Sequence, residues 1–456
     1  MTSLWSRGYE NLFRRFLYPL YEQHLRRRDT LRQMGEIDSH DDWSGEVLRQ
    51  YQLQRLRSLL AHARDQVPWY QDQFRQCGLI PEDVTDVAQL SVLPVLTKAV
   101  VRDHYQDLIA LNWRGRTFSK RTGGSTGEPF RFEMTRDDYQ RRMAVMWRGY
   151  GRAGARMGRR TLYLWGADIL PGNSLGAVKN RLYHALFQRR MLNSFEMNRD
   201  NLVQYEQAIR RYRPEVIVAY VTPLYELARH LVAAGRTLPG AEAILTGAEP
   251  LRDVQRELIA KAFSAPVYNT YGCREVMLIG SEAPGVDGML VNADQLLVES
   301  VDQQGRAVTE APGRLLLTDL HAEGMPLIRY ANGDVVTVAS TPAPGFAWPR
   351  LRTVEGRQLD LIRTPDGRML PGEFFPHLLK DIPGVERFQV VQPRLDALSI
   401  RIVAGPSFDH ATELLLTGVL RRHLGEQMRI SIECVSDIPL TAAGKLRVTL
   451  SMLGEG

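Results

Sequence analysis

The sequence KRTGGSTGEP at positions 120–129 restricts the possible folds more than any other stretch, because it concentrates glycines and hydroxyl side chains in one loop. Glycine tolerates positive φ and lets backbone N–H groups approach a ligand closely. Successive N–H groups in such a loop form a concave anion site, and serine and threonine hydroxyls add donors. The loop is not a Walker A motif, because no lysine follows Gly127, and it lacks G-x-G-x-x-G spacing. It predicts a phosphate-binding loop of another kind, with a plain surface turn as the alternative.

Five further motifs follow this loop along the chain. They read TGAEP (246–250), YGCRE (271–275), RYANGD (329–334), EGRQLD (355–360) and LTAAGK (440–445). In this order and spacing they resemble the core motifs of the adenylate-forming superfamily of acyl-CoA synthetases, adenylation domains and luciferases. The resemblance is closest to the phenylacetate–CoA ligase-like branch, and it covers about residues 45–450. Each motif is weak alone, but six in the right order are a strong signal.

The resemblance implies an ATP-dependent, AMP-forming ligase that uses Mg²⁺. A small carboxylic acid, aryl or otherwise, would attack the α-phosphorus of ATP, release pyrophosphate and form an acyl-adenylate, and the acyl group would then pass to CoA. In one alternative, the acceptor is an amine, a sugar amine or a carrier protein, or AMP itself is transferred. In another, the chain is a catalytically silent, membrane-associated partner protein.

The resemblance also assigns ATP contacts to residues of this chain. The phosphates would be held by Thr122, Gly123, Gly124, Ser125, Thr126 and Gly127, whereas Glu128, an acid where the family usually has lysine, is left out. Adenine would lie between Tyr271 with Gly272 on one side and Gly247, Ala248, Glu249 and Pro250 on the other. Asp334 would accept hydrogen bonds from the two ribose hydroxyls. Arg357 would contact ribose or phosphate, and Arg274 replaces a family hydroxyl residue at the phosphates.

Two residues are assigned to catalysis by the resemblance. Lys445 matches the lysine that bridges the carboxylate and the α-phosphate, a task for a compact charge on a flexible stem. Glu275 matches the glutamate associated with Mg²⁺, and one carboxylate suffices because phosphate oxygens supply further ligands. Cys273 has no neighbouring histidine in the motif and is interpreted as a packing residue.

The acid-binding pocket is the part that the sequence defines least. By position, Trp165, Tyr220, Thr222 and Asn269 are predicted to line it together with Tyr271, and aromatic side chains suit an aryl acid. The same residues fit equally well as ordinary core residues.

Composition and charge restrict the other possibilities. The three cysteines are far apart and lack C-x-x-C spacing, which argues against a disulfide framework or a zinc site. No apolar run is long enough to span a bilayer and no signal peptide is apparent, so a cytoplasmic protein is predicted. Residues 131–160 carry nine arginines against three acids, but no nucleic-acid motif accompanies them, so no nucleic-acid partner is predicted.

The fold class is predicted to be α/β, with mostly parallel sheets and a small barrel in a large domain, followed by a small mobile α+β lid. Apolar strands at 161–165, 216–220, 243–245 and 267–270 alternate with helices at 201–212, 224–233 and 254–263, which is typical of a parallel sheet. Residues 295–338 favour an antiparallel hairpin or small barrel. In the last hundred residues, strands at 388–391, 397–403 and 428–435 and a helix at 412–424 are predicted.

Three regions are predicted along the chain: an N-terminal extension (1–45), an adenylate-forming domain (46–356) and a C-terminal lid (357–456). In the extension, apolar residues from Trp5 to Leu20 recur at helical spacing opposite Arg7 and Arg14, and Pro19 is predicted to kink or end the helix. Such a helix either packs on its own domain or lies on an anionic membrane.

The hinge before the lid departs from the family pattern. Leu359 replaces the first aspartate of the usual Gly-Arg-x-Asp-Asp, and a lengthened hairpin follows at 361–371. That segment usually contributes to the pantetheine tunnel, so adenylation is predicted more firmly than thioester formation.

Overall fold

The computed structural model of the chain describes residues 4–122, 130–166, 181–198, 200–302, 304–355, 362–367, 369–370, 372, 374–379, 382–438 and 448–453. The predicted phosphate-loop residues 123–127 lie outside these ranges, together with Arg357, Leu359 and Lys445. The predicted domain boundary at residue 357 also lies outside them and stays a prediction.

The N-terminal part is helical. Its elements are α1 (Leu4–Leu12), π-helical turns at Phe13–Leu17 and Leu20–Leu25, α2 (Thr30–Asp38), α3 (Gly45–Gln66), α4 (Pro68–Cys77) and α5 (Lys98–Asp103). Ser44 caps α3 by accepting a hydrogen bond from the N–H of Val47 at 3.3 Å, and α3 ends before Pro68. Helical turns continue beyond Pro19, so the helix does not end there. Short 3₁₀ turns occur at Ser39–Asp42, Pro81–Asp83, Val87–Val92, Leu111–Trp113 and Ser194–Glu196.

One face of the N-terminal segment packs against its own domain. The Phe13 and Tyr18 rings are buried and lie 5.0 and 5.7 Å from the ring of Phe187, centroid to centroid. Aromatic rings in edge contact at this distance add to the free energy of burial. The docking that the helical spacing predicts is therefore present.

A large sheet of eleven strands forms the centre of the described fold. A separate hairpin, β1 (Phe118–Thr122) with β2 (Phe130–Met134), and α6 (Arg136–Arg152) precede it. Its first part consists of β3 (Thr161–Trp165), β4 (Arg189–Asn193), α7 (Leu202–Tyr212), β5 (Val216–Tyr220), α8 (Val221–Ala233), β6 (Ala243–Gly247), α9 (Asp253–Phe263) and β7 (Val267–Cys273). These five strands pair in parallel in the order β4-β3-β5-β6-β7. The strands and helices predicted for this region are confirmed. The apolar strands predicted them correctly because a parallel sheet is covered by helices on both faces, which leaves its strands apolar throughout.

The second part of the sheet is antiparallel. It contains β8 (Met277–Ser281), β9 (Met289–Val291), β10 (Leu296–Val301), β11 (Pro312–Asp319), β12 (Tyr330–Val338) and β13 (Arg350–Val354), in the order β7-β8-β9-β13-β12-β11-β10. β12 is thus four strand spacings from β7, about 19 Å in a flat sheet. Side chains of Tyr271 in β7 and Asp334 in β12 nevertheless meet at 2.6 Å. The sheet must therefore curl strongly here, in keeping with the predicted barrel-like region.

The C-terminal residues form a smaller α+β unit. Its elements are β14 (Ile362–Arg363), β15 (Met369–Leu370), α10 (Phe374–Leu379), β16 (Val385–Arg394), β17 (Ala397–Ala404), α11 (His410–Leu424), β18 (Arg429–Cys434) and β19 (Thr449–Ser451). Four strands make a sheet in the order β18-β17-β16-β19, and β14 pairs with β15 as the predicted hairpin. The strands and the helix predicted here are confirmed.

The arginines of α6 are largely internal. Arg142 pairs with Asp319 at 2.8 Å, and Arg148 pairs with Asp294 at 2.7 Å; all four side chains are buried. The Arg148 guanidinium holds the pKa of the Asp294 carboxyl well below its usual range, even though burial alone would raise it. The basic excess of residues 131–160 therefore includes charges that join α6 to the sheet rather than face a ligand. None of the described helices combines the length and the apolarity needed to cross a bilayer.

Candidate active site

The turn between β7 and β8 fixes two of the predicted site residues. Cys273 and Met277 pair across a three-residue turn, and Met277 closes it with φ +62°. A Cβ on Gly272 would lie 2.1 Å from the carbonyl oxygen of Met277, so only glycine fits. Gly272 is therefore required by the tight turn, which holds Tyr271 before it and Glu275 within it.

Tyr271 and Asp334 form one half of the site with Asn332. The Tyr271 hydroxyl donates to Asp334 Oδ2 at 2.6 Å, and Asn332 Nδ2 donates to the same oxygen at 2.7 Å. The Asn332 Oδ1 atom accepts the N–H of Asp334 at 3.0 Å. Burial raises the pKa of Tyr271 well above its usual value, and the Asp334 charge adds to this, so the hydroxyl stays protonated and donates. The carboxylate is thus oriented before any ligand arrives.

Glu275 forms the other half with Tyr330 and Lys98. The Tyr330 hydroxyl donates to Glu275 Oε1 at 2.9 Å, and Lys98 Nζ lies 3.8 Å from the same oxygen. Glu275 and Tyr330 are buried, and Lys98 is the first residue of α5. Burial raises the pKa of the Cys273 thiol well above its usual value, which keeps it protonated and fits the packing role predicted for it.

Arg274 connects the turn to the strand that leads into the glycine-rich loop. Its Nη1 atom donates to the carbonyl oxygen of Arg121 at 2.8 Å, next to Thr122 at the end of β1. Burial lowers the pKa of the Lys120 ammonium to about 8, and the nearby charges of Arg142 and Arg274 add to this. The β1 end of the predicted phosphate loop is therefore lined by cations.

Residues 247–250 begin at the last residue of β6, and the local backbone accounts for the small residues at positions 247 and 248. A Cβ on Gly247 would lie 2.7 Å from Thr270 Oγ1, and Ala248 has a left-handed backbone with φ +68°. Glu249 accepts the N–H of Thr222 at 2.6 Å, in the first turn of α8, where amides lack partners within the helix. Burial raises the pKa of the Glu249 carboxyl. Glu249 therefore caps α8, a function separate from the predicted adenine contact, and Pro250 is exposed beside it.

The predicted acid-pocket residues lie at the carboxyl ends of the parallel strands. Trp165 ends β3 and Tyr220 ends β5, and their rings stack with centroids 4.0 Å apart. The Asn269 Oδ1 atom accepts hydrogen bonds from Thr246 Oγ1 at 3.2 Å and from the N–H of Thr270 at 3.0 Å. Asn269 thus joins β6 to β7. Ligands of open α/β sheets bind outside the carboxyl ends of the strands, where these residues meet.

Proteins similar in sequence to this chain are known, and they match most of its length. Residues 362–452 match the CapK C-terminal domain family. The chain is 27% identical over 431 residues to phenylacetate-coenzyme A ligase of Pseudomonas putida, covering 90% of this chain and 94% of that protein. It is 23% identical over 410 residues to protein CapK of Staphylococcus aureus, covering 89% of each. The chain is thus similar, over most of its length, to proteins named phenylacetate-coenzyme A ligase.

The solved structures show the same fold. A 2-hydroxyisobutyryl-CoA ligase in complex with 2-HIB-AMP and CoA superposes with a TM-score of 0.60 at 18% identity, covering 90% of this chain and 91% of that one. The predicted resemblance to the phenylacetate–CoA ligase-like branch is thus confirmed by the sequence relatives, and this solved structure shows a shared fold.

Within this family fold, the described site includes residues that the sequence analysis missed. Asn332 lies inside the quoted RYANGD motif, so its hydrogen bond to Asp334 could have been expected from an asparagine two residues away. Tyr330 belongs to the same motif, but its partner Glu275 is 55 residues away in sequence. Lys98 carries no signal of its own, because a lysine at a helix start is commonplace and only the fold brings it to Glu275.

Proposed function

We propose that this chain is an AMP-forming acid–CoA ligase that converts a small carboxylic acid to its acyl-adenylate and then to a thioester of CoA. The supporting observation is a double connection between two segments, residues 271–275 and 330–334. Tyr271 meets Asp334 at 2.6 Å, and Glu275 meets Tyr330 at 2.9 Å. The names of the homologues, phenylacetate-coenzyme A ligases, support the same acceptor and class of acid.

In this proposal, Asp334 accepts hydrogen bonds from the ribose hydroxyls of ATP, held in place by Tyr271 and Asn332. Burial with fixed donors orients the carboxylate in advance, so little order is lost when the nucleotide binds. Thr122 and residues 123–127 hold the phosphates. Lys120 and Arg274 add positive charge beside Thr122, where the loop begins. Gly247, Ala248 and Pro250 pack beside adenine opposite Tyr271.

Glu275 fits a magnesium ion that arrives with ATP. Its carboxylate is buried and oriented by Tyr330, and the described residues contain no cluster of three or more His, Cys, Asp or Glu that could hold a metal alone. Magnesium is commonly bound through one or two carboxylates and substrate phosphates. The ion would neutralise charge on the phosphate oxygens. Lys98, 3.8 Å from Glu275, is expected to limit the negative charge of the site before ATP binds.

The reaction then balances as two displacements. A carboxylate oxygen attacks the α-phosphorus, the bond to the β-phosphate oxygen breaks, and pyrophosphate leaves. The thiolate of CoA next attacks the acyl carbonyl carbon, and AMP leaves with the bonding electrons. We assign Lys445, in a lid formed by residues 357–456, to the negative charge that builds up in the first step. We assign the half-buried Trp165 to an aromatic wall for an aryl acid, with the buried Tyr220 ring stacked behind it.

The test is ATP–pyrophosphate exchange with Mg²⁺ over a panel of aryl and short aliphatic acids, followed by CoA consumption with each acid that supports exchange. Acid-dependent exchange and stoichiometric AMP and thioester are expected. Exchange without thioester, but with product from added amines, would replace CoA as the acceptor. Absence of exchange with every acid, in protein that binds ATP, would contradict the proposal.

A further inference from the structure

The outer face of the N-terminal segment has an unusual distribution of apolar side chains. Leu12, Phe16, Leu20 and Leu25 are between 47% and 72% exposed, although Phe13 and Tyr18 between them are buried. The first three recur at four-residue intervals, which is close to one helical turn. The inner face is anchored by contacts with Phe187 and Tyr183, so these exposed residues are held outward rather than left loose.

The charges of the same segment are sorted in a matching way. Arg15, Arg26 and Arg27 are exposed. Within residues 8–27, all of which the structure describes, the two acids are Glu10 and Glu22, and both are buried. Glu10 pairs with Arg159 at 3.1 Å, and Glu22 accepts a hydrogen bond from Thr30 at 3.1 Å. The solvent-facing side of this segment therefore carries cations and apolar side chains and no carboxylate.

We propose that this face, made of Leu12, Arg15, Phe16, Leu20, Leu25, Arg26 and Arg27, docks on the surface of an anionic lipid bilayer. Apolar side chains of an interfacial helix enter the boundary between headgroups and acyl chains, while arginines pair with anionic headgroups. An acidic protein surface could pair with the arginines, but it would also need a separate apolar pocket for each of the four large apolar side chains. The inward placement of both acids removes the repulsion that an anionic membrane would otherwise meet. This inference is independent of the ligase proposal, because none of these residues belongs to the proposed site.

The experiment is co-sedimentation of the full chain with vesicles of phosphatidylcholine alone or of phosphatidylcholine mixed with phosphatidylglycerol. Binding is expected to the anionic vesicles only and to weaken as salt rises, because exposed charges are screened within about 10 Å at 0.1 M salt. Equal binding to both vesicles, or none to either, would overturn the proposal.

Two sets of substitutions locate the docking face. Leu12→Ser/Phe16→Ser/Leu20→Ser and, separately, Arg15→Gln/Arg26→Gln/Arg27→Gln should each weaken binding by about tenfold or more, since several residues contribute. The matched control is Val254→Ser/Leu414→Ser/Met452→Ser, which removes apolar residues that are 59–69% exposed elsewhere. Unchanged binding in both test variants would overturn the assignment of this face.

A second copy of the chain is the other occupant that the experiment distinguishes. Light scattering of the wild type and of the serine variant reports self-association directly. A dimer that the Leu12/Phe16/Leu20 substitutions abolish, without any vesicle binding, would show a protein interface instead of a membrane surface. Thermal melting checks the fold, and a single Phe16→Ser substitution replaces the triple one if the latter melts earlier than the control.

Discussion

Tyr271→Phe removes one hydroxyl from the centre of the proposed nucleotide site while keeping the ring. That hydroxyl donates to Asp334 Oδ2 at 2.6 Å, whereas the Asn332 donor at 2.7 Å remains. Losing a hydrogen bond to a charged group costs about 1.5–3 kcal/mol, or roughly 10- to 150-fold in affinity. Because Asn332 still orients the carboxylate, we expect the lower end, about tenfold weaker ATP binding.

Calorimetry with ATP and with 2′,3′-dideoxy-ATP separates ribose recognition from other effects of Tyr271. The wild type should bind the dideoxy nucleotide more weakly than ATP, and Tyr271→Phe should bind it as the wild type does. The two changes act on one interaction, so their combined effect is smaller than their sum. The raised pKa of Tyr271 keeps the hydroxyl protonated throughout the neutral range, so the effect should not vary with pH there.

A second tyrosine serves as the control for Tyr271→Phe. Tyr212→Phe removes a hydroxyl that donates to the Gln188 carbonyl oxygen at 2.6 Å, just before the amino end of β4, and should leave ATP affinity unchanged. If Tyr271→Phe weakened the binding of ATP and of the dideoxy nucleotide equally, or of neither, Asp334 would not be the ribose ligand that we propose.

The remaining predictions concern pH, stability and the two half-reactions. The kcat/KM for ATP should fall above pH about 8 as Lys120 loses its proton. Lys120→Arg should abolish this fall, because arginine stays charged. The same fall in the arginine variant would show that Lys120 is not the group that titrates. Asp294→Asn should lower the free energy of unfolding by about 3–5 kcal/mol at pH 7, because it breaks the buried ion pair with Arg148. Asp72→Asn, which removes an exposed carboxylate paired with Arg75, is the control and should have a much smaller effect. Because the pKa of Asp294 is lowered in the folded protein, this stabilisation is present above the unfolded pKa of about 4 and is lost as the pH falls through the folded value. If the difference in unfolding free energy between the wild type and Asp294→Asn, measured by urea titration, widened in acid, this prediction would be wrong. Lys445→Ala should reduce pyrophosphate exchange by orders of magnitude, while a supplied acyl-adenylate still reacts with CoA, and equal loss of both steps would argue against a lysine specific to adenylation.

Several features of the site could be predicted from local sequence because they depend on nearby residues. Gly272 in YGCRE allows the Met277 carbonyl to approach, and Asn332 and Asp334 bond to each other across two residues. The absence of a neighbouring base in the motif predicts a packing role for Cys273, and its side chain is half-buried against the core. The roles of Arg357, Lys445 and residues 123–127 lie outside the described residues and stay predictions.

Other features depended on contacts between distant residues. The motif assigns Glu249 to the adenine side, which stays a prediction, and the fold adds a contact that the motif does not reveal, the hydrogen bond that caps α8 at Thr222. The pocket role of Asn269 likewise stays a prediction, and the fold adds hydrogen bonds through which its side chain joins β6 to β7. In both cases a backbone or side-chain donor brought close by strand order competes for the same oxygen, and a buried polar group must be satisfied wherever a partner is nearest.

The sequence by itself determined the α/β class, the strands and helices of the sheet and the resemblance to the phenylacetate–CoA ligases, because apolar periodicity and short motifs are local properties of the chain. Only the tertiary structure decided that Lys98 stands 3.8 Å from Glu275 and that β7 curls back to β12. It also decided that Arg142 and Arg148 of α6 are paired inside, whereas Arg15, Arg26 and Arg27 of the N-terminal segment face outward. The physical reason is that burial and charge pairing are set by which distant residues become neighbours, and the strand order that fixes those neighbours is not written in any single segment.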